Sequence, residues 1–327
     1  VTTGSKMDNL SEVLRHLREA GGFISGDHIA GRLGVSRTAV WKYMNQLERY
    51  GYGIDKSKGK GYHLVGTPDK LYGWEIERYR SGGRIGSKII HKERLDSTNV
   101  LAFRQALAGE AEGVSVVAES QDRGKGRLGR RWSSPMGKNI YLSVILRPAI
   151  HPSIIYPITF LSSLAVSDTI EGLAGVTATL KWPNDVLVRG RKISGTLIEL
   201  STEADMVRFV VIGIGLNVNM APEDMDGEIR ATATSLLMET KKTYERSRVC
   251  GILLSNLERY YDLFKKEGAR TICDIWEERA RIRGKHLEIN QMGEVFAGTA
   301  IGIDRDGAIL LDIGGTTKKI LAGDVNF

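Results

Sequence analysis

The chain has 327 residues, 46 of them Lys or Arg against 39 Asp or Glu, so it exceeds one typical core and its formal charge of +7 favours an anionic partner. Cys250 and Cys273 are the only cysteines and fall in segments that read as helices, which excludes a disulfide framework or a cysteine-built zinc site and fits a reducing cytoplasm. No signal peptide and no apolar run of about 18 residues is evident, so a soluble chain without a membrane partner is expected.

The residues before Asp8 read as a frayed polar tail. From Asp8 to Glu19, Leu10, Val13, Leu14 and Leu17 recur at helical spacing. Ser25 is placed to N-cap a short helix through Leu33, Gly34 to make a tight turn, and Ser36 to cap a longer helix through TAVWKYMNQLERYGY. This is a helix-turn-helix, and GIDKSKGKGYHLV after it reads as two short strands around a Lys and Gly tip, the wing of a winged domain over residues 1–67. In such a motif the second helix enters the major groove, which puts Ser36, Arg37, Thr38 and Lys42 on base edges and phosphates and Lys56, Lys58 and Lys60 on the flanking backbone.

DKLYGWEIERYR supplies a linker and a short helix at the start of a second domain, residues 68–283. GVSVVAES and NIYLSVILRP read as strands, and between them QDRGKGRLGRRW places Gly124, Gly126 and Gly129 in a G-x-G-x-x-G pattern. A dinucleotide fingerprint must open a helix, and this loop joins two strands. A P-loop requires Lys and Ser or Thr where Arg130 and Arg131 stand. What remains is a basic loop able to fold around an anion, or a solvated hairpin. Residues 244–283 read as helices. From Gly284 onward KHLEI, EVFAGTAIGID, AILLDI and KKILAGD alternate with Gly and Asp turns, a small β-barrel over residues 284–327.

RLDSTN at 94–99, LKWPNDVLVRGRKISGTLIEL at 180–200 and VIGIGLNVNM at 211–220, together with QDRGKGRLGRRW and SSPMGKNIYLS, resemble the biotin protein ligases in order and separation, specifically the bifunctional type that also represses biotin operons. The resemblance covers nearly the entire chain. It implies an α+β protein with three parts: a winged helix-turn-helix, a central biotin/lipoate-ligase-like core with a mixed sheet, and an SH3-like barrel. It implies formation of biotinyl-5′-AMP from biotin and ATP with Mg2+, then attack by a lysine of a biotin carboxyl carrier domain, in a homodimer that binds operator DNA.

On that basis Ser97, Thr98, Asn99 and Gln121 are expected at biotin, whose ureido ring needs buried partners of both kinds, although Ser97 and Thr98 alone would read as a helix cap. The loop from Arg123 to Arg130 is expected to close over the acyl-adenylate, disordered when empty, with Lys125, Arg127, Gly129 and Arg130 on the substrate. Lys192 is the expected catalytic cation, offsetting the carboxylate and α-phosphate charges with help from Arg127, and Lys181 is its nearest rival. Trp132, Lys181, Asn184, Asp185 and Asn217 are expected at ATP, the two amides on adenine and Asp185 on a magnesium-bound phosphate. Gly213 and Gly215 would let a ligand approach the backbone. The family usually shows Arg where Lys125 stands, which removes a planar fork. A biotin sensor without ligase activity and a lipoate ligase are the alternatives.

Overall fold

The computed structural model describes residues 3–291 and 293–326 and divides into two compact units, Val1–Asp69 and Lys70–Phe327. Val1 and Thr2, in the stretch expected to fray, lie outside the described residues. The first helix, α1 (Thr3–Ala20), begins directly after them.

In the first unit, α2 (Gly26–Leu33) and α3 (Arg37–Arg49) form the turn-linked pair. Ser25 Oγ accepts from His28 N at 3.1 Å, Ser36 Oγ accepts from Ala39 N at 3.2 Å, and Gly34 takes a left-handed φ of 64° between the helices. Leu10, Val13, Leu14, Ile29, Val40, Met44 and Leu47 are fully buried, which is the apolar periodicity read from the sequence. The wing is the antiparallel pair β1 (Gly53–Ser57) and β2 (Gly61–Gly66). Tyr62 and Ile24 exchange backbone hydrogen bonds at 2.9 Å, and a Cβ at Gly61 would lie 2.1 Å from Ile24 O, so only glycine permits this docking of the wing.

The second unit starts with α4 (Gly73–Glu77) and is built on a seven-stranded sheet. Its elements are β3 (Ile89–Leu95), α5 (Thr98–Leu107), β4 (Ser115–Gln121), β5 (Ile140–Leu146), α6 (Tyr156–Ala174), β6 (Thr179–Lys181), β7 (Asp185–Val188), β8 (Arg191–Glu203) and β9 (Met206–Leu216). The strand order is β3-β4-β5-β9-β8-β7-β6, with β3 parallel to β4 and the other pairs antiparallel. After β9 come α7 (Gly227–Thr232), α8 (Leu236–Thr240), α9 (Arg246–Glu267) and α10 (Ala269–Ala280). The loop between β4 and β5 joins two strands, as the sequence predicts.

Strand alternation sorts the two faces of the sheet. Ile140, Leu142 and Val144 of β5 and Val210, Ile212 and Ile214 of β9 enter the large core shared with α6 and α9. On the other face Ile145, Phe209 and Val211 pack under α5 with Ala102 and Ala106. Residues 152–174 are long and apolar enough by composition to cross a membrane, contrary to the sequence expectation. They are nevertheless 72% buried within the fold, because α6 lies between the sheet and α9.

The chain ends in β10 (His286–Gln291), β11 (Glu294–Ile303), β12 (Ile309–Ile313), β13 (Thr316–Ile320) and β14 (Asp324–Asn326), an all-antiparallel, SH3-like sheet ordered β13-β12-β11-β10-β14. It belongs to the second unit and shares its core through Leu287, Ile289 and Ala300. Trp182 Nε1, in the turn between β6 and β7, donates to Gly307 O at 3.0 Å.

Candidate functional site

Past α5 the same sheet face changes composition. The cross-strand rows Tyr141–Gly215–Gly195 and Ser143–Gly213–Leu197 carry three glycines where Ile145 and Val211 fill the row before. A face without bulk cannot pack a helix, and here it floors a cavity of about 300 Å3. Ser97, Thr98, Asn99, Gln121, Lys125, Arg127, Arg130, Trp132, Asn184, Asp185, Lys192 and Asn217 all line it. Gly129 and Lys181, also expected there, do not: Gly129 sits exposed on the loop at φ 74°, and Lys181 lies on β6 outside the lining.

One end of the cavity is polar and buried. Ser97 occupies the N-cap position of α5, but its hydroxyl makes no capping bond. Gln121 caps the helix instead, its Oε1 accepting from Thr98 N at 2.8 Å and from Thr98 Oγ1 at 3.2 Å while its Nε2 donates to Ser134 Oγ at 3.0 Å. Ser143 Oγ stands 2.8 Å from Thr98 Oγ1 and 2.6 Å from Asn99 Oδ1. The capping reading of Ser97 is therefore right in position and wrong in chemistry, and the hydroxyl is left for the cavity. Ser143 was not anticipated, though a serine inside the wholly buried run of β5 is the kind of buried polar group that demands a partner.

Lys192 reaches the cavity through a register shift. Asp185 pairs with Gly195 and Val186 with Ser194, but Leu187 pairs with Lys192, which leaves Ile193 as a bulged residue. In an unbroken strand Lys192 would face away from Gly195. The extra residue reverses the alternation, buries Ile193 in the core and brings Lys192 over Gly195. Its Nζ lies 2.7 Å from Asp185 Oδ1 and 5.5 Å from the centroid of the Trp132 ring.

The Arg123–Arg130 loop is folded rather than open. Gly126 N donates to Arg130 O at 2.7 Å, Arg130 N to Arg127 O at 3.1 Å and Trp132 N to Gly124 O at 2.9 Å. Leu128 sits at a left-handed φ of 54° on its exposed tip. The hairpin is held at both sides: Arg127 donates to Asn184 Oδ1 at 3.1 Å and to Gly323 O at 3.5 Å, and Arg130 pairs with Asp324. Lys125 Nζ lies 3.6 Å from Glu199, a single point contact in place of a guanidinium fork.

Four residues expected beside the ligand also hold the protein's own groups. A Cβ at Gly213 would meet Asn99 Oδ1 at 2.0 Å, and one at Gly215 would meet Trp132 Cε2 at 2.3 Å, so these glycines admit the protein's own side chains to the backbone. Asn184 Nδ2 donates to Thr196 O at 2.7 Å, and its Oδ1 is taken by Arg127. Asn217 Nδ2 donates to Thr234 O at 2.9 Å, and its Oδ1 accepts from Asn139 at 3.3 Å. Both amides thus brace the wall of the cavity that they line. Trp132 Nε1, by contrast, is a buried donor without a protein partner.

Behind the site, Glu119 of β4 is fully buried and gathers Leu71 N at 2.8 Å, His91 Nε2 at 3.0 Å and Arg246 at 2.7 Å. Burial alone would raise its pKa. The His91 bond, the Arg246 charge and the Leu71 amide outweigh it and hold the carboxyl down at about 2.

In the winged unit Thr38, Lys42, Lys58 and Lys60 are exposed, as a nucleic-acid surface requires. Ser36 has given its hydroxyl to the helix cap, Arg37 pairs with Asp27 at 2.9 Å, and Lys56 reaches Glu48 at 2.7 Å.

The fold and cavity define a class: a mixed-sheet core whose cavity is lined by Lys192, Arg127 and a buried polar cluster, in a chain that also carries a helix-turn-helix. Sequence profiles agree. The Biotin/lipoate A/B protein ligase family matches residues 92–217, an HTH domain matches 9–63 and the Biotin protein ligase C terminal domain matches 284–327. The bifunctional ligase/repressor BirA of Bacillus subtilis (strain 168) is 38% identical over 303 residues, 93% of each chain, and that of Escherichia coli (strain K12) is 28% identical over 94% of this chain and 93% of its own. Among solved structures, the biotin protein ligase from Aquifex aeolicus in complex with biotin and ATP is 28% identical, with a TM-score of 0.63 over 73% of this chain and 98% of that one. The chain belongs to the biotin protein ligase family, in the branch that unites ligase and repressor.

Proposed function

We propose that the cavity joins biotin to AMP from ATP, releasing pyrophosphate, and then passes biotin to a lysine of a biotin carboxyl carrier domain. The placement of Lys192 carries this reading: a bulge turns one cation onto a glycine floor, opposite a buried polar cluster that offers hydroxyl and amide groups to a ureido ring. Ser97, Thr98, Asn99 and Gln121 hold that ring, Thr98 and Asn99 being fixed in turn by Ser143. Lys192 and Arg127 offset the charge of the carboxylate and the α-phosphate as they meet, with Lys125 and Arg130 at the phosphate rim. Trp132 offers its unpartnered N–H to the adenylate, and Asn184 and Asn217 position the wall that the nucleotide meets.

Magnesium enters this reading with the nucleotide, where it neutralises phosphate charge. Asp185 suits such an ion, which usually rests on one or two carboxylates plus phosphates. No cluster of three or more His, Cys, Asp or Glu side chains suited to a resident metal occurs among the described residues.

A homodimer belongs to the same proposal. β3 ends the sheet with Lys92, Glu93 and Arg94 exposed, while the opposite edge, β6, has three residues and packs against α10. Edge pairing through β3 would then join two copies, and the carrier would use the same surface. Ligand binding that favours the dimer favours binding of a two-fold operator by the winged units by the same free energy. A cytoplasmic setting accords with the two free, buried cysteines.

The test is incubation with ATP, labelled biotin or lipoate, and a carrier domain, read as a mass shift of the carrier. Biotin alone should appear on it. Transfer of lipoate, or binding of biotin with no transfer, would favour one of the two alternatives.

A further inference from the structure

We infer that the outer face of α3 formed by Trp41, Asn45 and Gln46 reads the bases of the operator. The inference rests on the DNA-binding reading and assigns residues beyond the start of the helix. At 100° per residue, Trp41, Asn45, Arg49, Lys42 and Gln46 fall within an arc of about 140°. The opposite side holds Val40, Met44 and Leu47, all at 0% exposure, so packing has fixed which face looks outward. Trp41 is 53% exposed in a shallow depression shared with Lys42, Asn45, Gln46, Arg49 and Tyr50. A large aromatic left outside while the rest of the helix is correctly sorted calls for a partner.

The chemistry of that face selects the partner. Among the described residues, the Gln46 side-chain amide makes no hydrogen bond within the protein, and Asn45 uses only its Oδ1, which accepts from Lys56 Nζ of the wing at 3.1 Å. Lys56 thereby fixes which way the Asn45 amide points, and its Nδ2 is left over. Asn and Gln amides match the paired acceptor and donor of adenine, and an apolar ring matches the thymine methyl group. Lys42 and Arg49 flank them as phosphate contacts. Glu48, the acid on the margin of this face, is paired with the same Lys56 at 2.7 Å. The exposed Arg37–Asp27 pair is weak enough to yield to a phosphate, so Arg37 serves the backbone.

The experiment uses the full chain, supplied with biotin and ATP, to select from duplexes with symmetric, randomised half-sites. The parent should enrich one sequence. Asn45→Ala and Gln46→Ala should each lose roughly tenfold preference for adenine at one position, and Trp41→Ala preference for thymine at another, with an unchanged log-log salt slope. Lys56→Met should blur the Asn45 position alone. Lys42→Ala and Arg49→Ala should flatten the salt slope while the enriched sequence stays the same. Parental selection at every other position of the half-site shows in each variant that the winged unit stays folded. If the three variants at Trp41, Asn45 and Gln46 enrich the parental sequence unaltered, the inference is overturned while operator binding stands. If the parent itself enriches nothing, operator binding falls and takes this inference with it.

Discussion

Lys192 Nζ and Asp185 Oδ1 lie 2.7 Å apart, and the pair exists because one bulged residue, Ile193, turns Lys192 toward the cavity. A lysine held by one carboxylate keeps its place until a phosphate competes for it. Lys192→Ala should cost on the order of 3 kcal/mol or more of transition-state stabilisation in adenylation and a smaller loss of biotin affinity. Biotin-dependent pyrophosphate exchange measures the first and calorimetric titration the second. Equal losses in both would remove Lys192 from the chemistry.

Gly215→Ala should act through Trp132, because its Cβ would stand 2.3 Å from the indole. The ring must move, so retention of the adenylate should fall several-fold while the sheet stays folded. In the loop, Gly124 is the demanding position: a Cβ there would lie 2.5 Å from Trp132 O, against 3.3 Å from Arg130 O at Gly126. Gly124→Val should therefore release the adenylate faster than Gly126→Val, as followed by its escape into a trap of excess unlabelled biotin and ATP. The reverse order would contradict this account of the hairpin.

Glu119 predicts the acid limit of the second unit. Its carboxyl titrates near 2 when folded against an ordinary 4.5, so its contribution is complete above about pH 4.5 and is lost as pH falls toward 2. Glu119→Gln takes away the buried carboxylate that pairs with Arg246 at 2.7 Å, at a cost of about 3–5 kcal/mol at neutral pH. Thermal scans at pH 7 and pH 3 should show the variant much weaker at the first and closer to the parent at the second. A constant gap between them would mean that the network is not what titrates.

Carrier and dimer should compete for β3. A carrier domain whose acceptor lysine is replaced, so that no transfer occurs, should lower the dimer fraction of biotin- and ATP-supplied protein in sedimentation. A dimer population indifferent to saturating carrier would place the two interfaces apart.

Much of this was legible in the order of residues. The caps at Ser25 and Ser36 and the turn at Gly34 are local signals, and they placed the helix-turn-helix because no distant contact competes with them. The buried strands showed as apolar runs. The reach of Lys192 was legible through the family resemblance, but the bulge that achieves it was not, since a bulge is a property of two paired strands and periodicity within one strand is blind to it. The same limit applies to the partners of Asn184 and Asn217, since the carbonyls of Thr196 and Thr234 come beside these amides only through the folding of neighbouring segments. Glu119 was overlooked because its partners, Leu71, His91 and Arg246, are scattered over more than half the chain. The apolar length of α6 went unmarked in the sequence, and the fold shows its reason: burial by protein selects the same residues that burial by lipid would.

The clasp of Arg127 on Gly323 O and of Arg130 on Asp324 ties the substrate loop to β14, and β14 itself is joined to the barrel by three paired residues along β10. Both arginines therefore depend on the seating of one three-residue strand and the residue before it. The substrate loop thus shares its anchorage with the barrel, whose Asp324 also lines the cavity. A fusion partner or a substitution placed beside that strand should therefore alter how long a reactive anhydride is kept from water.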